Sequence, residues 1–423
     1  MKNKNYTILY IIVNIILYTY LGIYLKMNYN LVFYSIGIVT FVLYYISDVF
    51  DFEKNYEKSK NVLYSGILNG VLFFITLFIF EFKEALILYG AQFLYQAIMK
   101  HLILKYLVKP LNLLIIGKNY KSEMIEKVVK DRGLYNFIGT IDEKKKSNKL
   151  GSIKDLKKIV KKYKVDKIAI VVEGILKKEL LEDLQNLKLN GIRLFDFYNF
   201  YEELEGKIPV KIVAEEWFLF DRGFNILYND FQQRVKRVVD LIFAIVIMIP
   251  AIPIMLISVI IIKLESKGSV FFIQERIGKG NRPFKIIKFR SMQLHDENKF
   301  SKYAGEKDSR ITRYGNIMRK TRIDELPQLL NILKGEMSFV GPRAEWDKLC
   351  YGYMEKIPFY NLRHAVLPGL TGWAQVNYPY GASVEDAFEK LQYDLYYIKH
   401  QSISLDIIIF LKTIKTVVFG RGR

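Results

Sequence analysis

A single cysteine, Cys350, excludes an intrachain disulfide and leaves no set of thiolates for a structural zinc site. It reads as a small apolar residue. Histidine is scarce too: His295, His364 and His400 are scattered without the spacing of metal ligands, so each is predicted to be structural. Acid is in deficit, with 43 Asp and Glu against 63 Lys and Arg and a formal net charge of +20. That balance suits an anionic membrane surface, a phosphate-bearing substrate or nucleic acid and does not choose among them. Part of the lysine excess travels with abundant Ile, Asn and Tyr and reflects compositional bias. What is plentiful is apolar: 51% of the residues are hydrophobic, with 30 Tyr and 29 Phe, which strains a purely soluble reading. A chain of 423 residues has room for two or three domains.

A helix needs about 20 mostly apolar residues to cross the hydrocarbon core. Four stretches approach or meet that length, at 8–25, 31–46, 62–80 and 85–104. The first has Lys2 and Lys4 before it but no small-residue cleavage site after it, so it reads as a retained span. The tip between the first two stretches carries only Lys26, whereas the chain beyond the fourth carries Lys100, Lys105, Lys109, Lys118 and Lys121. The positive-inside rule then places both ends of a four-helix transmembrane bundle, residues 1–109, in the cytoplasm. A buried soluble helical core is the alternative, disfavoured because four such stretches recur with short connections.

A fifth apolar stretch, 238–262, has Arg234, Lys236 and Arg237 before it and Lys263 and Lys267 after it, so both ends are drawn to the same side. Pro250 and Pro253 lie in its middle, where each removes a backbone donor and predicts a kink or break. A helix that enters the membrane, bends and returns is one reading; a Pro-kinked fifth span is the other. Local charge leaves the two nearly balanced.

Between these membrane segments, 110–223 alternates short apolar runs with amphipathic patterns, as parallel α/β units do. Strands are predicted at 113–116, 137–141, 168–172 and 192–195, and helices at 123–132, 153–163 and 177–190. The first strand ends at Gly117, where a dinucleotide fold places a glycine-rich turn, but Lys118-Asn119-Tyr120-Lys121-Ser122 lacks the second and third glycines. A Rossmann-like module with a structural, regulatory or oligomerising role is therefore favoured over a nicotinamide-dependent one.

Chemistry-bearing motifs begin after Phe231. Gln274-Glu275-Arg276-Ile277-Gly278 and Phe284-Lys285-Ile286-Ile287-Lys288-Phe289-Arg290-Ser291-Met292 set cations, Lys288 and Arg290 among them, beside β-type runs and turns, which suits phosphate contacts. In Arg319-Lys320-Thr321-Arg322-Ile323-Asp324-Glu325-Leu326-Pro327-Gln328, two carboxylates precede a proline and an apolar helix. Proline in a first turn marks the helix start, so Asp324 and Glu325 should sit where free N–H groups favour negative charge, beside Arg313, Arg319, Lys320 and Arg322. Adjacent carboxylates there point in different directions and can divide labour between substrate and metal or proton. Further on, Gly341-Pro342-Arg343 presents an arginine suited to bidentate phosphate contact.

These motifs, together with Lys236-Arg237 and Asp240, Ser338-Phe339-Val340-Gly341-Pro342-Arg343 and Leu367-Pro368-Gly369-Leu370-Thr371-Gly372-Trp373-Ala374-Gln375-Val376-Asn377, resemble the bacterial sugar transferase family of polyprenol-phosphate phosphoglycosyl transferases. The likeness runs over 231–423; the preceding bundle and α/β module resemble its long members, and the closing stretch its exopolysaccharide branch. The resemblance implies a C-terminal α/β monotopic catalytic domain whose broken helix re-enters the cytoplasmic leaflet, with Pro253 matching the family's helix-breaking proline and Pro250 additional. It implies that Asp324 is the nucleophile of a two-step transfer of sugar-1-phosphate from a UDP-sugar, glucose or galactose favoured, to undecaprenyl phosphate with release of UMP. Glu325 would be its partner, magnesium would bind at Asp324 and bridge to the diphosphate, and Arg319 and Arg343 would bind phosphate. Gln375 and Trp373 are candidates for the donor site, with apolar packing an equal reading for the tryptophan.

On this reading the protein is a multi-pass protein of the bacterial inner membrane, with membrane lipid around it, its catalytic face in the cytoplasm and a homodimer as its expected assembly. A catalytically idle scaffold is disfavoured by the retained carboxylates and arginines. Nucleic-acid binding is disfavoured because the cations flank membrane segments and phosphate motifs without an aromatic-interleaved groove.

Overall fold

The computed structural model describes residues 13–21, 37, 40, 69–70, 72–73, 81–106, 110–133, 135–142, 150–172, 174, 176–213, 218, 223–293, 310–379, 381 and 383–418. The chain divides into two compact units, Met1–Glu205 and Gly206–Arg423.

In the first unit, residues 13–21 are helical, and helix α1, Phe82–Tyr106, contains the stretch 85–104 predicted as the fourth span. Of the other predicted spans, 31–46 and 62–80 lie outside the described residues except at 37, 40, 69–70 and 72–73. Helix α1 buries Gln92 and Gln96, and Gln96 exchanges amide hydrogen bonds with Asn14 and Asn69.

The α/β part runs β1 (Leu111–Ile116), α2 (Tyr120–Arg132), β2 (Tyr135–Ile141), α3 (Leu156–Tyr163), β3 (Lys167–Ile170), α4 (Lys178–Leu189), β4 (Arg193–Asp196) and α5 (Phe197–Glu205). The strands and helices α2 to α4 match the predicted positions to within a helical turn, and α5 was not predicted. The four strands form one parallel sheet in the order β2-β1-β3-β4. Central β1 is apolar from Leu113 to Ile116, because a parallel strand with helices on both faces meets no solvent there; Leu113, Leu114, Ile115 and Ile116 are fully buried. Helix α2 starts with a capping box in which Asn119 and Ser122 satisfy each other's backbone N–H. The Asn119 amide also donates to the Val171 carbonyl at 2.6 Å, which ties the β1 turn to the end of β3.

The second unit is organised along α6, Asp230–Glu265, which is 36 residues long and, among the described residues, the one helix long and apolar enough to cross a membrane. Its start is capped by Asn229, whose side chain accepts from Gln232 N. The prolines do not end the helix: Pro250 and Pro253 both lie inside α6. Each removes one backbone donor, and the long run of Ile, Leu, Met and Val around them carries the helix past the loss. Ile208 and Val210, in a stretch grouped by sequence with the α/β module, join Phe224 and Ile226 in the core of this second unit.

Around α6 stand the antiparallel hairpin β5 (Phe271–Ile277) and β6 (Pro283–Phe289), helix α7 (Arg313–Thr321), a 3-10 turn (Ile323–Gln328) leading into α8 (Leu329–Lys334), β7 (Ser338–Val340) and α9 (Asp347–Lys356). Strand β8 (Gly369–Thr371) pairs parallel to β7 and is followed by α10 (Trp373–Asn377), α11 (Val384–His400) and α12 (Ile403–Val418). The glycines of the Gly341-Pro342-Arg343 and Pro368-Gly369 motifs are needed for this pairing. A Cβ on Gly341 would lie 2.5 Å from the Leu367 carbonyl, and one on Gly369 would run into the Gly341 backbone.

Both ends of α6 are fastened to this surround. Arg237 donates to the Ile332 and Leu333 carbonyls at 2.7 and 3.1 Å, capping the C-terminus of α8. Past the other end, Arg290 donates to the Ser266 and Lys267 carbonyls at 2.8 and 3.0 Å. Asn331 of α8 in turn bonds the β6 backbone, accepting from Ile287 N and donating to the Lys285 carbonyl.

Candidate active site

Helix α7 is opened by Thr312, whose hydroxyl accepts from Gly315 N, and closed by Arg322, which takes a left-handed backbone at φ 60°. That reversal starts the 3-10 turn, and Asp324 and Glu325 occupy its first residues as the proline pattern predicts. The apolar helix follows directly as α8.

Glu325 is buried, and its Oε1 accepts from Arg343 Nη2 at 2.7 Å, Lys288 Nζ at 3.4 Å and Arg322 Nη1 at 3.4 Å. Burial opposes its charge, but Arg343, Lys288 and Arg322 outweigh burial and hold the carboxyl well below the usual range. Asp324 is half-buried, and its Oδ1 has no hydrogen-bond partner. Burial and the adjacent Glu325 push it up to about 6, against the pull of Lys288, Arg322 and Arg319. The cations thus belong to Glu325 and the tendency to hold a proton to Asp324. Lys288 is lowered to about 8 by burial, with Glu325 opposing.

The predicted cationic neighbours are only partly right. Arg319 faces the carboxylates and leaves Nη1 buried without a partner, whereas Arg313 and Lys320, named with it, are exposed on α7. Lys288 and Arg343, distant in sequence, complete the cluster. Arg290, expected to contact phosphate, directs Nη1 and Nη2 to Ser266 and Lys267 and so locks the end of α6. Gln375 lies on α10 and donates to the Leu370 carbonyl at 3.3 Å, leaving Oε1 buried and unpartnered. Trp373 donates to the Gly206 carbonyl and stacks on Tyr396, a packing role. His364 is buried against Asn281 and Cys350 and is lowered by burial to about 3, apart from the carboxylates.

Two supports escaped the sequence. Asp240 accepts from Ser338 Oγ at 2.7 Å and Phe339 N at 3.1 Å and pairs with Lys236, which also pairs with Asp406 at 2.8 Å. This buried network anchors β7, the strand that leads into Arg343. Arg363 is paired with Asp394 at 2.8 Å and donates to the Arg343 carbonyl at 2.9 Å, fixing the other side of the same loop. The basic-acidic spacing of Lys236 and Asp240 was the only signal for the first; nothing in sequence links Arg363 to Asp394.

Among the described residues no three His, Cys, Asp or Glu side chains gather as a metal site. A magnesium ion needs no such cage, because it is commonly held by one or two carboxylates and completed by substrate phosphates and water. The unpartnered Oδ1 of Asp324 fits that mode, whereas Glu325 is committed to its three cations. The arrangement offers a free carboxylate oxygen in a field of fixed cations, which suits attack on, or charge stabilisation of, a phosphorylated ligand.

The profile of the family described as bacterial sugar transferase matches residues 231–420. Over 239 residues the chain is 47% identical to a UDP-N-acetylgalactosamine-undecaprenyl-phosphate N-acetylgalactosaminephosphotransferase of Aeromonas hydrophila, covering 56% of this chain and 55% of that one. Over 280 residues it is 34% identical to a UDP-glucose:undecaprenyl-phosphate glucose-1-phosphate transferase of Escherichia coli (strain K12), covering 63% and 58%. An exopolysaccharide production protein of Rhizobium leguminosarum bv. phaseoli is 39% identical over 196 residues, 44% of this chain and 98% of that one. The chain spans about half the length of the first two relatives that it matches.

Proposed function

The chain belongs to the bacterial sugar transferase family, and from that premise we propose that it moves a sugar-1-phosphate from a UDP-sugar to undecaprenyl phosphate, releasing UMP, as the first membrane step of an exopolysaccharide or capsule. The observation that carries this reading is Asp324: one carboxylate oxygen without a partner, next to Arg319, Arg322 and Lys288, with Arg343 clamped by Glu325.

In the first step an Asp324 oxygen attacks the phosphorus that bears the sugar. The bond from that phosphorus to the bridging oxygen breaks, UMP leaves with the electron pair, and the sugar phosphate stays on Asp324 as an acyl phosphate. In the second, an oxygen of undecaprenyl phosphate attacks the same phosphorus and the Asp324 carboxylate departs. Both nucleophiles are already anions, so neither step needs a general base; that suits a Glu325 kept ionised by three cations. What an anion attacking an anion does need is charge neutralisation. Arg319 and Arg322 supply it from α7 and its end, Lys288 from β6 and Arg343 from the loop held by Arg363. Glu325 fixes the direction of three of these cations. Magnesium held at Asp324 Oδ1 would add Lewis-acid neutralisation of the diphosphate.

The same reading makes residues 1–109 a transmembrane bundle in the inner membrane and the parallel α/β part a Rossmann-like module of structural, regulatory or oligomerising role, with a homodimer as the assembly. Helix α6 re-enters the cytoplasmic leaflet by bending, without ending, at Pro250 and Pro253. What supports this is that Arg237 fastens the start of α6 to α8, Arg290 fastens the turn past its other end to the end of β6, and Asn331 bonds α8 to β6. Those ends then share one side of the membrane, and Asp324 stays with the nucleotide sugars.

The relatives' names divide between glucose and N-acetylgalactosamine donors. The test is purified full-length chain with undecaprenyl phosphate and UDP-glucose, UDP-galactose or UDP-N-acetylgalactosamine, scored by UMP release with and without a divalent-metal chelator. One donor should release UMP and the chelator should stop it. No UMP from any donor sinks the transferase reading, and undiminished release in chelator sinks the metal.

A further inference from the structure

The start of the β5–β6 hairpin presents an apolar surface that neither the core nor the active cluster uses. Phe271, Phe272 and Ile273 are 43%, 47% and 58% exposed, and Leu264 near the end of α6 is 83% exposed. Successive strand residues point to opposite faces, so the base of this hairpin is apolar and open on both sides. A groove built for one ligand would be open on one face and covered on the other; a strand bare on both faces calls for an apolar medium around it.

The hairpin base is held firmly at the end of α6. Besides the Arg290 bonds to Ser266 and Lys267, Val270 and Phe289 pack with Ile262 and Met318 in one buried cluster. Helix α6, which leads into the hairpin, also exposes Leu256, Ile257 and Ile260. Lys263 in the last turn of α6 and Lys267 on the connecting turn are exposed, a charge that complements phosphate headgroups. In the hairpin register Phe272 stands opposite Lys288, so both side chains share one face, with their Cβ atoms about 5 Å apart.

We propose that Leu264, Phe271, Phe272 and Ile273 form a second membrane-contacting element, seated among the acyl chains of a phospholipid bilayer just below anionic headgroups that meet Lys263 and Lys267. Phe272 then brings lipid to within one side chain of Lys288 and sets the height of the Asp324 cluster at the headgroup layer, where an acceptor phosphate on a polyprenyl chain would lie. This inference rests on α6 being in the membrane, so its test separates the two.

Single cysteines at Phe272 and Ile273, on opposite faces of β5, are labelled with bimane in the full chain and reconstituted into nanodiscs of phosphatidylcholine and phosphatidylglycerol carrying brominated acyl chains. Leu256→Cys on α6 is the membrane reference and Leu189→Cys, 86% exposed on α4, the aqueous one. Cys350 is fully buried and stays unlabelled. Phe272→Cys and Ile273→Cys should each be quenched by brominated lipid at least threefold more than Leu189→Cys, and by headgroup-depth bromine more than Leu256→Cys is. Quenching at Leu256→Cys with both hairpin sites matching Leu189→Cys overturns the hairpin contact and leaves the α6 reading standing. No quenching at Leu256→Cys overturns both.

Discussion

Replacing Asp324 by asparagine should destroy transfer and yet stabilise the protein. The amide keeps the size of the side chain but cannot serve as the nucleophile. The stability gain follows from the carboxyl's own environment. Burial and Glu325 raise Asp324 from 3.8 to about 6, which means that the folded state disfavours its charge. At about 1.4 kcal/mol per pKa unit, ionised Asp324 costs the folded state at most ~3 kcal/mol, and solvent reaching the half-buried group reduces this to ~1–3 kcal/mol. A carboxyl whose folded pKa is raised costs nothing below its unfolded pKa; the cost grows as pH rises from about 4 to about 6 and is complete above that. Asp324→Asn should therefore match the wild type near pH 4 and unfold ~2–12 °C higher at pH 8, at about 2–4 °C per kcal/mol for a domain of this size. The assay is differential scanning fluorimetry of the full chain in detergent with chelator present, so that no metal stabilises the wild type through Asp324. An Asp324→Asn protein less stable than wild type at pH 8, or a gain equal at pH 4 and pH 8, would refute the electrostatic account of the site.

The remaining expectations concern pH, the β7 anchor and the apolar helix. Donor kcat/KM should rise through about pH 6 as Asp324 ionises and fall above about pH 8 as Lys288 loses its proton; a flat profile between pH 5 and pH 9 removes both assignments. Asp240→Asn leaves Lys236 with Asp406 alone and gives Ser338 and Phe339 a neutral acceptor in place of a charged one, which should cost ~1–3 kcal/mol and depress activity through the Arg343 loop; urea unfolding checks it, and a loss below about 0.5 kcal/mol would show that the anchor does not hold β7. Replacing Pro250 and Pro253 together by leucine restores two backbone donors and should favour a spanning helix. A single cysteine at exposed Glu355 reports the outcome in intact cells: a membrane-impermeant reagent should miss it with the native helix and reach a fraction of it in the double variant. Full labelling with the native helix would end the re-entrant reading.

The sequence alone determined what depends on neighbours along the chain. Strand β1 is legible because a parallel strand covered on both faces runs apolar without alternation, as Leu113 to Ile116 do, and helix α2 because Asn119 and Ser122 make its cap locally. The position of Asp324 and Glu325 at the start of a turn follows from Pro327. Tertiary structure decided how these charges are shared. Arg343 and Lys288 reach Glu325 across 18 and 37 residues, leaving Asp324 with the unpartnered oxygen; no spacing distinguishes the two carboxylates in advance. Arg290, equally basic and two residues from Lys288, turns instead to the Ser266 and Lys267 carbonyls. Alternation along β6 puts Lys288 and Arg290 on the same side of an ideal strand, but Arg290 lies past the strand's last residue, Phe289, where the chain departs from that plane. Helix α6 continues through two prolines because its packing and apolar length outweigh two missing donors, a balance of terms that a proline pattern does not contain. A side chain's type is set locally, whereas the charge it neutralises is set by distance in space. Long-range pairing therefore selected which carboxylate is pinned and which is free to react.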